Sequence, residues 1–263
     1  MGTKTRRHMR KLYIYMVMFA LCGCEVIAEN ERLIPTGTDV YGERTHVLLE
    51  FTGFRCVNCP LAAETAQSLT AIYGEHLAVV SLHPASNPLT QGKYDYTCPE
   101  ADSIYRFMGG TATTPLPTGN VGIRRQDDRW FYDRDEWPAL VSQAMSDTVA
   151  PYLRISTQVD TVTRQVDVTA FYTPTEENRL TLWLVEDSIK GAQAMPDGSV
   201  NMAYYHRHVL RATSDELSFT VPAQCDLTHC AVLALIVNKN DYHILNAYEK
   251  KLDYPGSPSA GNN

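Results

Sequence analysis

The feature that most constrains the fold is a pair of cysteines with two residues between them, Cys56 and Cys59. The pair lies between a strand pattern and a helix pattern. The run THVLLEFT (45–52) is short, apolar and rich in β-formers, and LAAETAQSLTAIYG (61–74) repeats apolar residues at helical spacing. A second strand with a buried character, LAVVSL (77–82), follows directly. This order predicts a βαβ unit with the cysteines at the start of its helix.

The position of the two cysteines predicts their chemistry. Free backbone N–H groups and the positive end of a helix dipole stabilise a thiolate at Cys56, and Arg55 adds a neighbouring cation. A low thiol pKa makes Cys56 both a better leaving group and a likelier attacking group at neutral pH than an ordinary cysteine. Cys59 lies one turn inward and can resolve a mixed disulfide. We therefore predict Cys56 as the nucleophile and Cys59 as the resolving cysteine.

The next part of the chain continues the alternation of helices and strands. Residues 97–100 (TCPE) have the spacing of a capping box with a proline in the first turn, which predicts a helix to about Met108. A proline turn then leads into a strand at GNVGIRR (119–125), and 133–150 has the pattern of a last helix. The order β-α-β-α-β-α predicts an α/β domain over residues 45–150.

The composition changes after Pro151. Seven short segments alternate apolar and polar residues and are separated by turn residues. This pattern predicts an all-β domain over 151–252, a β-sandwich of immunoglobulin-like type. The remainder, 253–263, offers no apolar residues for a core and is predicted to be disordered.

The N-terminus has the anatomy of an export signal. Residues 2–11 carry basic charge, residues 12–22 are apolar, and the run ends at Leu21-Cys22-Gly23-Cys24, which resembles the bacterial lipobox. This predicts a lipoprotein signal peptide over 1–23, a lipid on Cys24 that anchors the chain to a membrane, and a linker over 24–44. The alternative is an ordinary secretory signal in which the cysteines are incidental.

The charge balance excludes one class of partner. The chain carries 23 basic and 30 acidic residues, and five of the basic residues belong to the predicted signal. The remaining net charge of −12 argues against nucleic acid as a partner. We predict no cofactor and no metal site.

Three further cysteines remain after the signal, the predicted lipid anchor and the Cys56/Cys59 pair are set aside. Cys225 and Cys230 are close in sequence, and disulfides form in an oxidising compartment. We therefore predict a local structural disulfide between these two cysteines. Cys98 is left without a partner, and it is either a third redox thiol or a buried residue without a chemical role. A zinc site built from the two cysteine pairs would have to join residues about 165 positions apart, and we do not predict one.

The segment AYYHRHVLRA (203–212) holds two histidines that period two places on one face of a predicted strand. His206 and His208 could offer two nitrogens to one metal, or could serve in cross-strand packing and hydrogen bonds, which is the more ordinary outcome. Tyr204 and Tyr205 beside them suggest an adhesive face as a further alternative.

The segment VLLEFTGFRCVNC (47–59) resembles the first strand and active-site turn of thioredoxin-fold proteins. The resemblance implies that Glu50, six residues before the first cysteine, lies buried beneath the pair and accepts the proton of Cys59, whereas the alternative is a glutamate at a strand edge in solvent. It also implies a cis proline facing the pair, at Pro117. The sequence departs from thioredoxin in lacking a tryptophan before Cys56 and in its 83–96 insertion.

The mature chain as a whole resembles the bacterial outer membrane protein 28 family of lipoproteins, through the lipobox, FTGFRCVNCP (51–60), LPTGNV (116–121) and YHRHVLR (205–211). This resemblance implies a thioredoxin-like domain followed by a β-sandwich, anchored to the outer membrane of the bacterial cell envelope. Two functions stay open. One is thiol–disulfide exchange with a protein thiol or disulfide partner; the other is a non-enzymatic surface binding or adhesion lipoprotein in which Cys56–Cys59 is a static structural disulfide.

Overall fold

The structure, a computed structural model, describes residues 41–253. The predicted signal peptide, the lipid anchor at Cys24 and nearly all of the predicted tail lie outside these residues. The described part contains three α-helices, which are α1 (Cys59–Tyr73), α2 (Pro99–Phe107) and α3 (Trp137–Ala144). Its strands are β1 (Tyr41–Glu43), β2 (His46–Phe51), β3 (Leu77–Leu82), β4 (Thr118–Val121), β5 (Val149–Pro151), β6 (Leu153–Val159), β7 (Gln165–Tyr172), β8 (Asn178–Glu186), β9 (Ile189–Ala194), β10 (Val200–His206), β11 (Val209–Ser214), β12 (Ser218–Thr220), β13 (Cys230–Asn238) and β14 (Ile244–Lys251).

The largest sheet among the described residues has seven strands in the order β14-β13-β8-β11-β3-β2-β4. Strands β2 and β3 are parallel, as the predicted βαβ unit requires, and β4 is antiparallel to β2. Strand β11 lies parallel to β3, through the pairing of Val209 with Ser81, and the other neighbours are antiparallel. One sheet therefore contains strands from both halves of the chain.

Alternation along β2 assigns its side chains to two cores. Leu48 packs with Ala62, Ala66 and Leu69 of α1 on one face. Val47, Leu49 and Phe51 belong to the cluster on the opposite face, which also holds Tyr105 of α2 and Trp183 of β8. Every residue of β2 and of β3 is buried, which explains why both strands appear in the sequence as nearly continuous apolar runs.

The β-rich half has two layers of sheet. A three-stranded sheet, β12-β7-β6, packs through Leu153, Ile155 and Val166 onto Leu182 of β8 and Val232 of β13. Strands β9 and β10 form a separate antiparallel hairpin, and β1 pairs with β5. The fold is thus mostly β, with few helices and several sheets. The domain limits at residues 45, 150 and 252 stay predictions.

Most helices and strands of the first half agree with the sequence patterns, but the last helix predicted over 133–150 is wrong in extent: α3 covers only Trp137–Ala144, and Val149–Pro151 is strand β5. In the second half, one predicted strand is interrupted. The segment 203–212 is not one strand: it divides into β10 and β11 at Arg207 and His208. His208 has φ 52°, a left-handed conformation that no regular strand contains. His206 and His208 therefore do not share a strand face. Strand β9, at IKGAQA, has no counterpart among the predicted strands.

Candidate functional site

The two cysteines of the CxxC motif are joined as a disulfide at the beginning of α1. Their Cα atoms lie 5.4 Å apart, and Cys59 is the first residue of the helix. The turn is held by backbone bonds, in which Cys56 N–H donates to Gly53 O at 3.0 Å and Cys59 N–H donates to Cys56 O at 3.3 Å. Both cysteines are only 2 % exposed, so the bond lies beneath the surface rather than on it.

Glu50 lies in the buried sheet next to this turn. Its side chain is 3 % exposed, which excludes the solvent-edge alternative, and Ser81 Oγ donates a hydrogen bond to its Oε2 at 3.3 Å. Burial raises the pKa of the Glu50 carboxyl to about 7, and the Ser81 hydrogen bond opposes this only in part. A carboxyl group with such a pKa can exchange a proton near neutral pH.

The proline implied by the thioredoxin resemblance follows Leu116, and the Leu116–Pro117 peptide bond is cis. Leu116 belongs to the same buried cluster as Cys56 and Cys59, and the next residue, Thr118, pairs with Phe51 at the end of β2. The role of Pro117 in shaping a substrate groove stays a prediction.

The β9–β10 hairpin is attached directly to the cysteine turn, a contact that the sequence did not indicate. Gln193 of β9 is 2 % exposed, and its Nε2 donates to Cys56 O at 2.9 Å and also contacts Gly53 O at 3.4 Å. The backbone N–H of Ala194 donates to Phe54 O at 2.8 Å. The β-rich half therefore supplies part of the structure around the disulfide.

A cavity of about 530 Å³ lies next to the disulfide. One wall is the exposed side of α1, the other is β10 with the turn that follows it, and the floor comes from β2 and β3. The residues that matter for its chemistry are Glu50, Cys59, Glu64, His83, Gln193 and Arg207. Cavities at the carboxyl ends of parallel strands are common ligand sites in α/β sheets.

An aromatic cluster lies at the inner end of this cavity. The ring of His206 lies 4.2 Å from that of Tyr96 and 5.9 Å from that of His83, measured between centroids. His206 Nε2 is paired with Ala192 O at 3.2 Å, and burial lowers its pKa to about 4. Both ring nitrogens of His83 and the hydroxyl of Tyr96 are buried without a hydrogen-bond partner in the described part of the chain. Burial, followed by His206 and Arg211, keeps the pKa of His83 well below its usual value.

Cys225 and Cys230 form the second close pair, and in the structure they are two free thiols rather than a disulfide. Their sulfur atoms lie within 4.8 Å of each other. Arg211 Nε donates to Cys225 Sγ at 3.3 Å and forms an ion pair with Glu186 Oε2 at 3.2 Å. The hydrogen bond from Cys230, then Arg211, lowers the pKa of Cys225 and so overcomes the effect of burial. The disulfide between these cysteines stays a prediction.

Glu186, Cys225 and Cys230 are the one set of three metal-type ligands that the described residues bring together, with ligand atoms within 4.8 Å. Arg211 already contributes a positive charge to this set. Both oxygens of Glu186 also have protein partners, since Asp226 N–H donates to Oε1 at 2.7 Å. Glu186 and Cys225 thus already have protein partners in this set.

Cys98 is buried at the N-cap of α2, where its sulfur accepts a hydrogen bond from Ala101 N–H at 3.4 Å. Burial raises its pKa to about 12. A buried thiol with a raised pKa is unreactive. The N-cap residue of α2 is Cys98, whereas the capping-box spacing predicted Thr97.

The fold and the site define a class: a chain with a thioredoxin-like arrangement, a CxxC disulfide at a helix start and an additional β-rich part. The solved structure of HBP35 of Porphyromonas gingivalis is similar to it, with a TM-score of 0.58 and 17% sequence identity, covering 84% of this chain and 79% of that one. A structural genomics target from Agrobacterium tumefaciens has a TM-score of 0.47 and 14% identity, covering 79% of this chain and 95% of that one. No protein-family model and no curated protein matches.

The likeness to HBP35 supports a thioredoxin-like fold combined with β structure, and it carries no information about activity at this level of identity. Between residues 41 and 253, none of the helices combines the length and the apolar character that a bilayer crossing needs.

Proposed function

We propose that this protein carries out thiol–disulfide exchange through Cys56 and Cys59. The observation that carries the proposal is a disulfide at a helix start with a buried carboxyl group, Glu50, next to it. Burial raises the pKa of that carboxyl to about 7, so it exists in both protonation states under ordinary conditions.

The geometry supports the following sequence of steps. In the reduced protein, the Cys56 thiolate attacks one sulfur of a partner disulfide and releases the other as a thiolate. Glu50 as a carboxylate accepts the proton of Cys59, and the Cys59 thiolate then attacks Cys56 Sγ. The partner leaves as its second thiol, and the Cys56–Cys59 bond closes with two electrons transferred to the partner.

The proposal extends to the location of the protein. A lipid on Cys24 would anchor the chain to the outer membrane of a bacterial cell envelope, with its partner a protein thiol, a disulfide or a surface ligand. This part rests on the lipobox and on the resemblance to the outer membrane protein 28 family, with its thioredoxin-like domain and immunoglobulin-like β-sandwich.

A glutathione redox titration of the purified chain tests the exchange activity. Thiols are trapped with an alkylating agent and each cysteine is quantified by mass spectrometry, with Cys98 as an internal control that should not follow the titration. A reversible Cys56/Cys59 couple between about −120 and −270 mV is the result we expect. A pair that stays oxidised below about −300 mV is structural, and that result would contradict the proposal.

The second candidate function is a binding or adhesion protein with a static disulfide. Two observations favour it: the 2 % exposure of both cysteines, and the exposed apolar side chains of β10, Val200 at 58%, Met202 at 60% and Tyr205 at 52%. Exposed apolar residues grouped on one hairpin are typical of a surface that contacts a partner. The glutathione titration distinguishes the two functions, because a static disulfide would stay oxidised throughout and an exchanging pair would not.

A further inference from the structure

The cavity beside the disulfide has the size of a site for one small molecule. Its volume of about 530 Å³ lies within the range of ordinary ligand pockets, and Cys59 and Glu50 are among its lining residues. Both cysteines are 2 % exposed, and a small molecule can enter a cavity that touches one of them.

Two opposite charges line this cavity from opposite walls. Glu64 belongs to α1 and Arg207 follows β10. Tyr204 lines the same cavity as these two charged residues. Within residues 41–253, neither side chain forms an ion pair or a hydrogen bond. A ligand that carries a positive and a negative group would satisfy both.

The floor of the cavity supplies a third polar contact. His83 is 2 % exposed and lines the cavity, and both of its ring nitrogens are buried without a partner in the described residues. A buried polar group without a hydrogen bond costs free energy unless a ligand or water supplies the bond. As a neutral imidazole, His83 can both donate to and accept from a bound molecule.

We propose that this cavity binds low-molecular-weight disulfides of the amino-acid type, whose ammonium group pairs with Glu64 and whose carboxylate pairs with Arg207, and that it presents them to the cysteine pair at Cys59, the cysteine that lines it. The inference rests on the proposed function and deepens it, because it names a small zwitterionic disulfide as the substrate in place of a folded protein.

The reaction is balanced between the pair and the small disulfide. One thiolate of the reduced pair attacks a sulfur of the substrate, a protein–substrate disulfide forms, and the first half of the substrate leaves as a thiolate. The second cysteine then attacks its neighbour, and the other half leaves. Two protein thiols become one disulfide, one small disulfide becomes two small thiols, and the two protons pass to those thiols.

The test compares a charged and an uncharged small disulfide. L-Cystine carries both charged groups at each end, and hydroxyethyl disulfide carries none. The pre-reduced full chain is mixed with each probe, and loss of the Cys56 and Cys59 thiols is followed by alkylation and mass spectrometry. We expect cystine to oxidise the pair about tenfold faster than hydroxyethyl disulfide, as two partly exposed ion pairs would allow.

Charge-neutralising variants locate the effect. Glu64→Gln and Arg207→Gln should each slow oxidation by cystine about threefold to fivefold, so that the ratio of the cystine rate to the hydroxyethyl disulfide rate falls. The matched controls are Glu75→Gln, just beyond the end of α1, and Lys190→Gln, on β9. Both residues are exposed and neither lines the cavity, so neither control should change either rate.

The outcomes separate the two proposals. If both probes oxidise the pair at similar rates and the Glu64 and Arg207 variants have no effect, the zwitterion site is wrong and the exchange function stands. If neither probe oxidises the pair, the exchange function itself is wrong. If the control variants slow oxidation by cystine as much as the Glu64 and Arg207 variants do, the effect is not specific to the cavity and the assigned site is wrong.

Discussion

The two cysteine pairs of this chain are both close in sequence and both buried, yet they lie in different surroundings. Cys56 and Cys59 lie at the beginning of α1, form a disulfide, and have Glu50 and a cavity nearby. Cys225 and Cys230 lie in the β-rich half, stay as two thiols in contact, and are held by the Arg211–Glu186 ion pair.

The difference shows that spacing alone does not define what a cysteine pair does. The first pair has an ionisable carboxyl group and space for a substrate, which are the requirements of exchange chemistry. The second pair lies beside the guanidinium of Arg211, which is paired with Glu186, and neither cysteine lines the cavity next to the disulfide. These are the properties of a structural cluster. Variants that act on one pair and not on the other test this contrast.

The largest effect should come from removing the nucleophile. Cys56→Ser should lower the rate of disulfide exchange at least about a hundredfold, because a hydroxyl group does not replace a thiolate as the attacking group. Cys225→Ser should retain the rate within about twofold, since that thiol lies apart from the reacting pair. Reduction of a small disulfide under saturating reductant measures both. Equal losses in the two variants would remove the distinction between the pairs.

At the second pair, Arg211→Met should destabilise the protein by about 3–5 kcal/mol, because it leaves the buried Glu186 carboxylate without its cation. Urea unfolding at neutral pH measures the loss. Exposed Arg125→Met is the control, with an expected change under about 1 kcal/mol. A small effect at Arg211 would mean that the guanidinium does not hold the cluster together.

At the first pair, Glu50→Gln should stabilise the protein by about 3 kcal/mol at pH 8 and by almost nothing at pH 4. The carboxyl has a pKa of about 7 in the fold against 4.5 in the unfolded chain, so the native state binds more protons between these values. Stability of the unmodified protein therefore falls as pH rises from about 4.5 to 7 and is constant above. The midpoint of urea unfolding, measured at several pH values in this range, gives the stability of the unmodified protein and of Glu50→Gln. If the two proteins show the same dependence of stability on pH, Glu50 is not a buried ionisable group.

The smallest effect concerns Cys98, the cysteine outside both pairs. Cys98→Ala removes the cap of α2 and should cost about 1 kcal/mol, whereas Cys98→Ser keeps a cap and should stay within about 0.5 kcal/mol. Thermal unfolding of the two variants gives the comparison. Loss of exchange activity in either variant would make Cys98 a redox thiol and not a helix cap.

Local patterns predicted the first half of the fold well. The run 77–82 is strand β3 without adjustment, and the helix pattern ending at Gly74 corresponds to α1, because apolar periodicity and a C-terminal glycine are local signals. The buried state of Glu50 agrees with what the thioredoxin resemblance implied. The structure of these residues is set by neighbours that are close in sequence or by a motif of fixed spacing, and both can be recognised in the sequence.

The contacts between the two halves could not be predicted in the same way. Gln193 meets the cysteine turn only after a segment 137 residues from Cys56 folds back, and nothing in the sequence around IKGAQA marks that destination. The division of 203–212 into two strands depends on a left-handed His208, which period-two alternation conceals. Long-range pairing of this kind carries no local signature.

The parallel pairing of β11 with β3 has a consequence for synthesis of the chain. Strand β3 is complete once residue 82 has been made, but its neighbour begins only at Val209. Until then the edge of β3 presents unpaired backbone groups, which readily pair with another chain. A fragment ending near residue 150 would keep that edge permanently, so we expect it to self-associate. The thioredoxin-like half thus depends on the rest of the polypeptide to cover the edge of β3 at Ser81.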